Sequence, residues 1–122
     1  MAIGAELAAT EYGRVGLEFA RALVAGRFDD AWRMLTAQEQ VHCSAADLKL
    51  KYERMVAYGD GAANYLEALE GYDGTQYPGA HPNEIGGVYV AICGEGFSEA
   101  VMVFVVRENG EPRIRQIVWQ RP

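Results

Sequence analysis

A chain of 122 residues, half of them apolar or aromatic and 23% charged, has the length and composition of one domain with one core, which excludes a disordered polymer. Eleven Lys and Arg against seventeen Asp and Glu leave a net charge of −6 with no basic run. Nucleic acid is thereby set aside as a partner, because phosphate neutralisation drives most of that binding. Acidity of this size chiefly favours solubility, and it also suits a basic protein partner.

The opening stretch, MAIGAELAATEYGR, carries Glu6 and Glu11 and lacks the positive start and apolar run of a secretory signal, so a cytoplasmic location is expected. Ala8, Tyr12, Val15, Phe19 and Leu23 recur at steps of three and four, which predicts one amphipathic helix over residues 5–25, ended by Gly26. The adjacent carboxylates Asp29 and Asp30 stand just before AWRML, where a side-chain oxygen can cap a second helix. That placement accounts for the pair without any acid/base chemistry. Ser44 and Asp47 have the capping-box spacing ahead of a third helix. Its stripe is Leu48, Tyr52, Met55 and Val56, and YGDG at 58–61 is expected to end it.

The period then changes from helical to alternating. NYLEALEG, GGVYVAIC, SEAVMVFVVRE and RIRQIVW read as four strands, the last three in an antiparallel meander joined by turns at GEG (94–96) and ENGE (108–111). Pro112 suits the start of a strand, where no amide donor is needed. Between the first two strands lies GYDGTQYPGAHPNEIGG, a long Gly/Pro-rich connection whose recognisable groups are Tyr72, Tyr77 and His81. The strand AVMVFVV is apolar on both faces, with Val101, Val103 and Val105 on one and Ala100, Met102, Phe104 and Val106 on the other. A second apolar face calls for a cover, and pairing of two copies through the sheet supplies one, so a homodimer is expected.

The order of three helices followed by an antiparallel sheet, with FARALVAGRFDDAWRMLTAQEQ feeding the third helix and IRQIVWQRP at the end, resembles the nuclear transport factor 2-like superfamily over nearly the whole chain. The resemblance implies an α+β cone: three N-terminal helices packed on a curved four-stranded antiparallel sheet, one domain over 1–122, with a pocket between helices and sheet. It also implies dimerisation through the sheet in many members. Polyketide cyclase-like enzymes, isomerases, dehydratases, transport adaptors and toxin-immunity proteins share this fold, so function has to be decided at the site.

Enzymes of the group resemble one another in projecting an Asp or His, often with a Tyr, into the cone. Here the apolar run 100–106 reaches no acid before Glu108. Strict alternation puts Arg113, Arg115, Ile117 and Trp119 on one face of the last strand, where the arginines either hold an anion or pair with acids across the sheet. Tyr12, Trp32, Tyr52, Tyr65, Tyr89 and Trp119 are aromatics spaced as core residues, and they would wall any interior pocket. His42 and Cys43 are sequence neighbours, while a thiol–imidazole pair would more naturally join Cys43 to His81 through the fold. A buried structural thiol is the simpler reading of Cys43. Two histidines with scattered acids give no zinc spacing, and Gly-Glu-Gly leads into a strand rather than a phosphate-binding helix, so neither metal nor cofactor is expected.

Two functions follow as expectations. The first is a non-catalytic domain that binds a protein partner, of adaptor or toxin-immunity type, through Tyr72, Tyr77 and His81. The alternative is an enzyme or carrier for a small apolar or anionic molecule, with His81 or Tyr12 moving a proton and Arg115 anchoring an anion.

Overall fold

A computed structural model of the chain describes residues 4–57, 63–74, 81–94 and 97–120. These form five helices, α1 (Gly4–Ala9), α2 (Glu11–Val24), α3 (Phe28–Arg33), α4 (Ala37–His42) and α5 (Ala45–Val56), followed by four strands, β1 (Ala63–Asp73), β2 (Glu84–Gly94), β3 (Phe97–Glu108) and β4 (Glu111–Gln120). The class is α+β, as the change of period implies. None of the described helices is long and apolar enough to cross a membrane.

The helix count corrects the expected three, for local reasons. The helix expected over 5–25 breaks at Thr10, whose Oγ1 accepts from the Gly13 amide at 3.0 Å and donates to the Leu7 carbonyl at 2.7 Å. The apolar stripe runs straight across this break, so periodicity does not register a hydroxyl that competes with the helical ladder. The Asp29–Asp30 pair is not a cap: Arg27 is the N-cap of α3 and makes no side-chain capping bond, which leaves both acids inside the first turn. There they suit the positive end of the helix, and Asp30 pairs with Arg27 at 3.3 Å and Arg33 at 2.8 Å. The unexpected α4 is capped by Thr36, which accepts from the Glu39 amide. The third expected helix is α5, and its reciprocal Ser44–Asp47 box is present. YGDG at 58–61 lies outside the described residues.

All four strands pair antiparallel in the order β1-β2-β3-β4, an open meander. Asn109 at φ 54° and Gly110 at φ 82° make the β3–β4 turn, the doubly left-handed form that an Asn-Gly pair favours. Residues 95–96 of the other expected turn lie outside the described set. Pro112 is second in β4, opposite Arg107.

Register assigns the faces. Val88, Val90 and Ile92 stand opposite Val103, Val101 and Glu99, so all six share the helix-facing side. Phe19, Leu23, Leu35 and Leu48 meet that side fully buried, each such burial stabilising by roughly 1.5–3 kcal/mol. The helix α2 lies so close that a Cβ on Gly16 would stand 2.2 Å from Val88 Cγ1. On the other side of β3, Ala100 and Val106 are covered by neighbours while Met102 and Phe104 are half-buried. A glycine pair marks the start of β2. A Cβ on Gly86 would meet the Tyr12 ring at 2.5 Å, and one on Gly87 would meet the Tyr72 ring at 2.5 Å from the opposite side.

Candidate functional site

The polar chemistry gathers where the ends of β1 and β2 meet a bulge in β4. Phe104 pairs with Gln116 but Val105 pairs with Ile114, so Arg115 is the extra residue of the bulge. Its Nε donates to Glu84 Oε2 at 2.7 Å and its Nη2 to Oε1 at 3.1 Å, while the Tyr72 hydroxyl donates to the same Oε1 at 2.9 Å. The Glu84 side chain is 1% exposed and that of Arg115 28%. A carboxylate so deep costs several kcal/mol to desolvate, and a two-bonded guanidinium plus a phenol offsets that cost. The guanidinium carbon also sits 5.0 Å from the centre of the Phe104 ring. The hydrogen-bonded Glu84 carboxylate holds the Arg115 pKa above its ordinary value. Tyr72 precedes the 75–80 stretch and Glu84 follows it, so this network is a clamp that joins β1 to the start of β2.

Beside the clamp lies an open groove of about 480 Å³. The short helix α4 contributes Gln38, Glu39 and His42, the turn before β2 contributes His81 and Asn83, and the β3–β4 hairpin contributes Arg107, Glu108 and Asn109, with Arg115 at the junction. Backbone bonds fix each wall. The amide of Thr36 donates to the Ile114 carbonyl at 2.9 Å and that of Ile114 to the Met34 carbonyl at 2.8 Å, which ties the start of α4 to the edge of β4. The amide of Arg107 donates to the Asn83 carbonyl at 2.9 Å, tying the turn to β3. Glu108 Oε2 accepts from the Ala37 amide at 3.1 Å. In the turn, His81 Nδ1 accepts from the Asn83 amide at 3.2 Å, which puts the proton of the neutral ring on Nε2.

The residues singled out in the sequence distribute unevenly over this architecture. His81 lines the groove, Tyr72 is part of the clamp inside β1, and Tyr77 lies outside the described residues. The aromatic set does not converge. Tyr12 and Tyr52 are in the core, and Trp32 and Trp119 pack against it, but Tyr65, 52% exposed, and Tyr89 stand on the other side of the sheet. The bulge overturns the shared face of the last strand: Ile117 and Trp119 turn to the helices, while Arg113 and Arg115 do not. Arg113 is structural, donating to the Arg33 carbonyl at 2.7 Å and pairing with Glu111 at 2.8 Å.

Cys43 does not line the groove that His81 and His42 share. Burial pushes its thiol up in pKa, the reverse of an activated nucleophile. Among the described residues no group of three or more His, Cys, Asp or Glu is arranged to hold a metal ion.

Sequence reasoning passed over two buried strand acids, Glu84 and Glu99, the latter 2% exposed opposite Ile92 on the helix-facing side. It also passed over Gln38 and Glu39. The missed signal for α4 was Thr36-x-x-Glu39, the same Ser/Thr-to-acid spacing that marks α5. Glu84 left no such signal, because its partner is 31 positions away.

Comparison with known proteins returns no match among family models, curated proteins or solved structures. The fold defines an α+β protein with helices on one side of an antiparallel meander, and the groove beside the clamp is its candidate site.

Proposed function

We propose that this chain is a non-catalytic binding domain of nuclear transport factor 2-like type that recognises a protein partner at the groove between α4, the His81–Asn83 turn and the β3–β4 hairpin. The observation that carries this reading is the groove itself. Three segments distant in sequence bring imidazole, amide and carboxylate side chains onto one open surface, while its arginines are already engaged by carboxylates of the chain. A polar, open site with fixed walls fits an adaptor or toxin-immunity role better than a closed reaction chamber. Two further observations weigh against the small-molecule alternative: packing at Gly16 leaves no room where α2 crosses the sheet, and Arg115, its anion anchor, is already bonded twice to Glu84. The half-buried row of Met102, Phe104 and Val118 supports a homodimer through the outer sheet face, which light scattering at tens of micromolar concentration would test.

The test of the binding site is positional. A photo-crosslinking residue is placed at His81 and, as a control, at Glu53 on exposed α5, and each protein is irradiated in extract of its source cells. A discrete protein adduct from position 81 and none from position 53 is expected. Equal labelling from both, or none from 81, would overturn the assignment.

A further inference from the structure

The charges around the groove are not balanced, and the imbalance identifies what kind of side chain it receives. Both of its arginines are paired with acids outside the groove wall: Arg107 with Glu11 and Arg115 with the buried Glu84. Its acids are not matched in the same way. Among the described residues, Glu108 accepts only a backbone amide, that of Ala37, and Glu39 is in no ion pair. Once the internal pairs are formed, the charge left over in the groove is negative, although a count of its arginines and acids gives zero.

Gln38, Asn83 and Asn109 line the same groove, and each carries a side-chain carbonyl that can accept a hydrogen bond. A planar cation with several donors meets this arrangement better than an anion, which would face two unpaired carboxylates. The net charge of −6 adds long-range attraction of the same sign.

We infer that the groove receives a basic side chain of the partner, arginine in preference to lysine, with its cation between Glu39 and Glu108 and its remaining donors on the neighbouring amides. Arginine is preferred because its fork of donors reaches a carboxylate and an amide oxygen together, whereas an ammonium acts as a point charge. This inference rests on the binding-domain reading and specifies the chemistry of its contact.

The experiment is an NMR titration of the isotopically labelled whole chain with three blocked pentapeptides, Gly-Gly-X-Gly-Gly with X as Arg, Lys or Glu, at millimolar concentration. The expected result is a cluster of amide shifts at Gln38, Glu39, His42, Asn83 and Asn109 that is strongest with Arg, weaker with Lys and absent with Glu. The Glu39→Gln variant should weaken the Arg peptide about two- to five-fold, the range of an exposed ion pair. The control variant Glu53→Gln should leave it unchanged. Equal shifts from the Glu peptide, no groove shifts from the Arg peptide, or equal weakening by the two variants would each overturn the inference. A crosslinked partner at position 81 combined with any of those results would leave the binding site standing and remove only its preference for a basic side chain.

Discussion

The valine-rich centre of the helix-facing side and one corner of the outer side of the sheet are held by opposite kinds of chemistry. Toward the helices, Val88, Val90, Val101, Val103 and Val105 meet Phe19 and Leu23 with no exposed surface, and the contact is apolar and insensitive to charge. On the other side, at the junction of β1, β2 and β4, Tyr72, Glu84, Phe104 and Arg115 are held by directed bonds around one buried carboxylate. The first region tolerates exchange of one apolar shape for another of equal volume. The second does not, because removing either Glu84 or Arg115 leaves the charge of the other without its partner. The groove is built against the second region, so the part of the molecule with the least freedom is the part that borders its surface chemistry.

Four measurements would break or sharpen this contrast. Phe19→Ala should cost about 4 kcal/mol in urea unfolding, the cost of a large cavity on the apolar side. Arg115→Met should cost about 3 kcal/mol, the lower end for a broken buried pair because Arg115 keeps part of its side chain in water. If Arg115→Met proved neutral, the clamp would be mere decoration and the contrast would fail. Ser44→Ala should cost about 1 kcal/mol by removing a helix cap.

That third loss carries a pH signature. Backbone and side-chain hydrogen bonds from Ser44 hold the Asp47 carboxyl below its ordinary pKa in the folded chain. A depressed folded pKa means that the contribution of Asp47 is complete above the unfolded value of about 3.9 and is lost as pH falls from there through the lower folded one. The stability difference between parent and Ser44→Ala should therefore shrink in acid. The smallest effect belongs to Asp30→Ala, at about 0.3 kcal/mol, because Asp30 makes exposed pairs and caps nothing. A loss near 1 kcal/mol would restore it as the cap of α3.

What the sequence made legible follows the reach of each interaction. The Ser44–Asp47 box and the Asn109-Gly110 turn are set by neighbours within three positions, and both stand where the spacing puts them. Strand alternation holds through 86–94 and 97–104 but breaks at irregularities in β1, between Ala63 and Tyr65 and between Ala68 and Glu70, and at the bulge at Arg115, which inserts one residue and reverses the face of Ile117 and Trp119. No pattern in RIRQIVW announces that insertion, since the residue gains its place by reaching Glu84 across 31 positions. The start of α4 was legible and overlooked, because Thr36 has the same cap spacing as Ser44 but no apolar stripe behind it. His81 was picked out by its loop and does line the groove, but nothing local tied it to His42 or Glu39.

The glycine pair at the start of β2 has an effect on heredity as well as on packing. Gly86 and Gly87 need no unusual backbone angle, yet each is closed to a side chain by a tyrosine ring, Tyr12 on one side and Tyr72 on the other. Residues seventy-four and fifteen positions away are thus constrained to change together with them. Relatives that carry a larger residue at 87 should carry a smaller one at 72, and with it lose the phenol that donates to Glu84. A methyl group added at a position with no side chain and no place in the groove would in this way reach the buried carboxylate, so the polar site can be altered through a glycine.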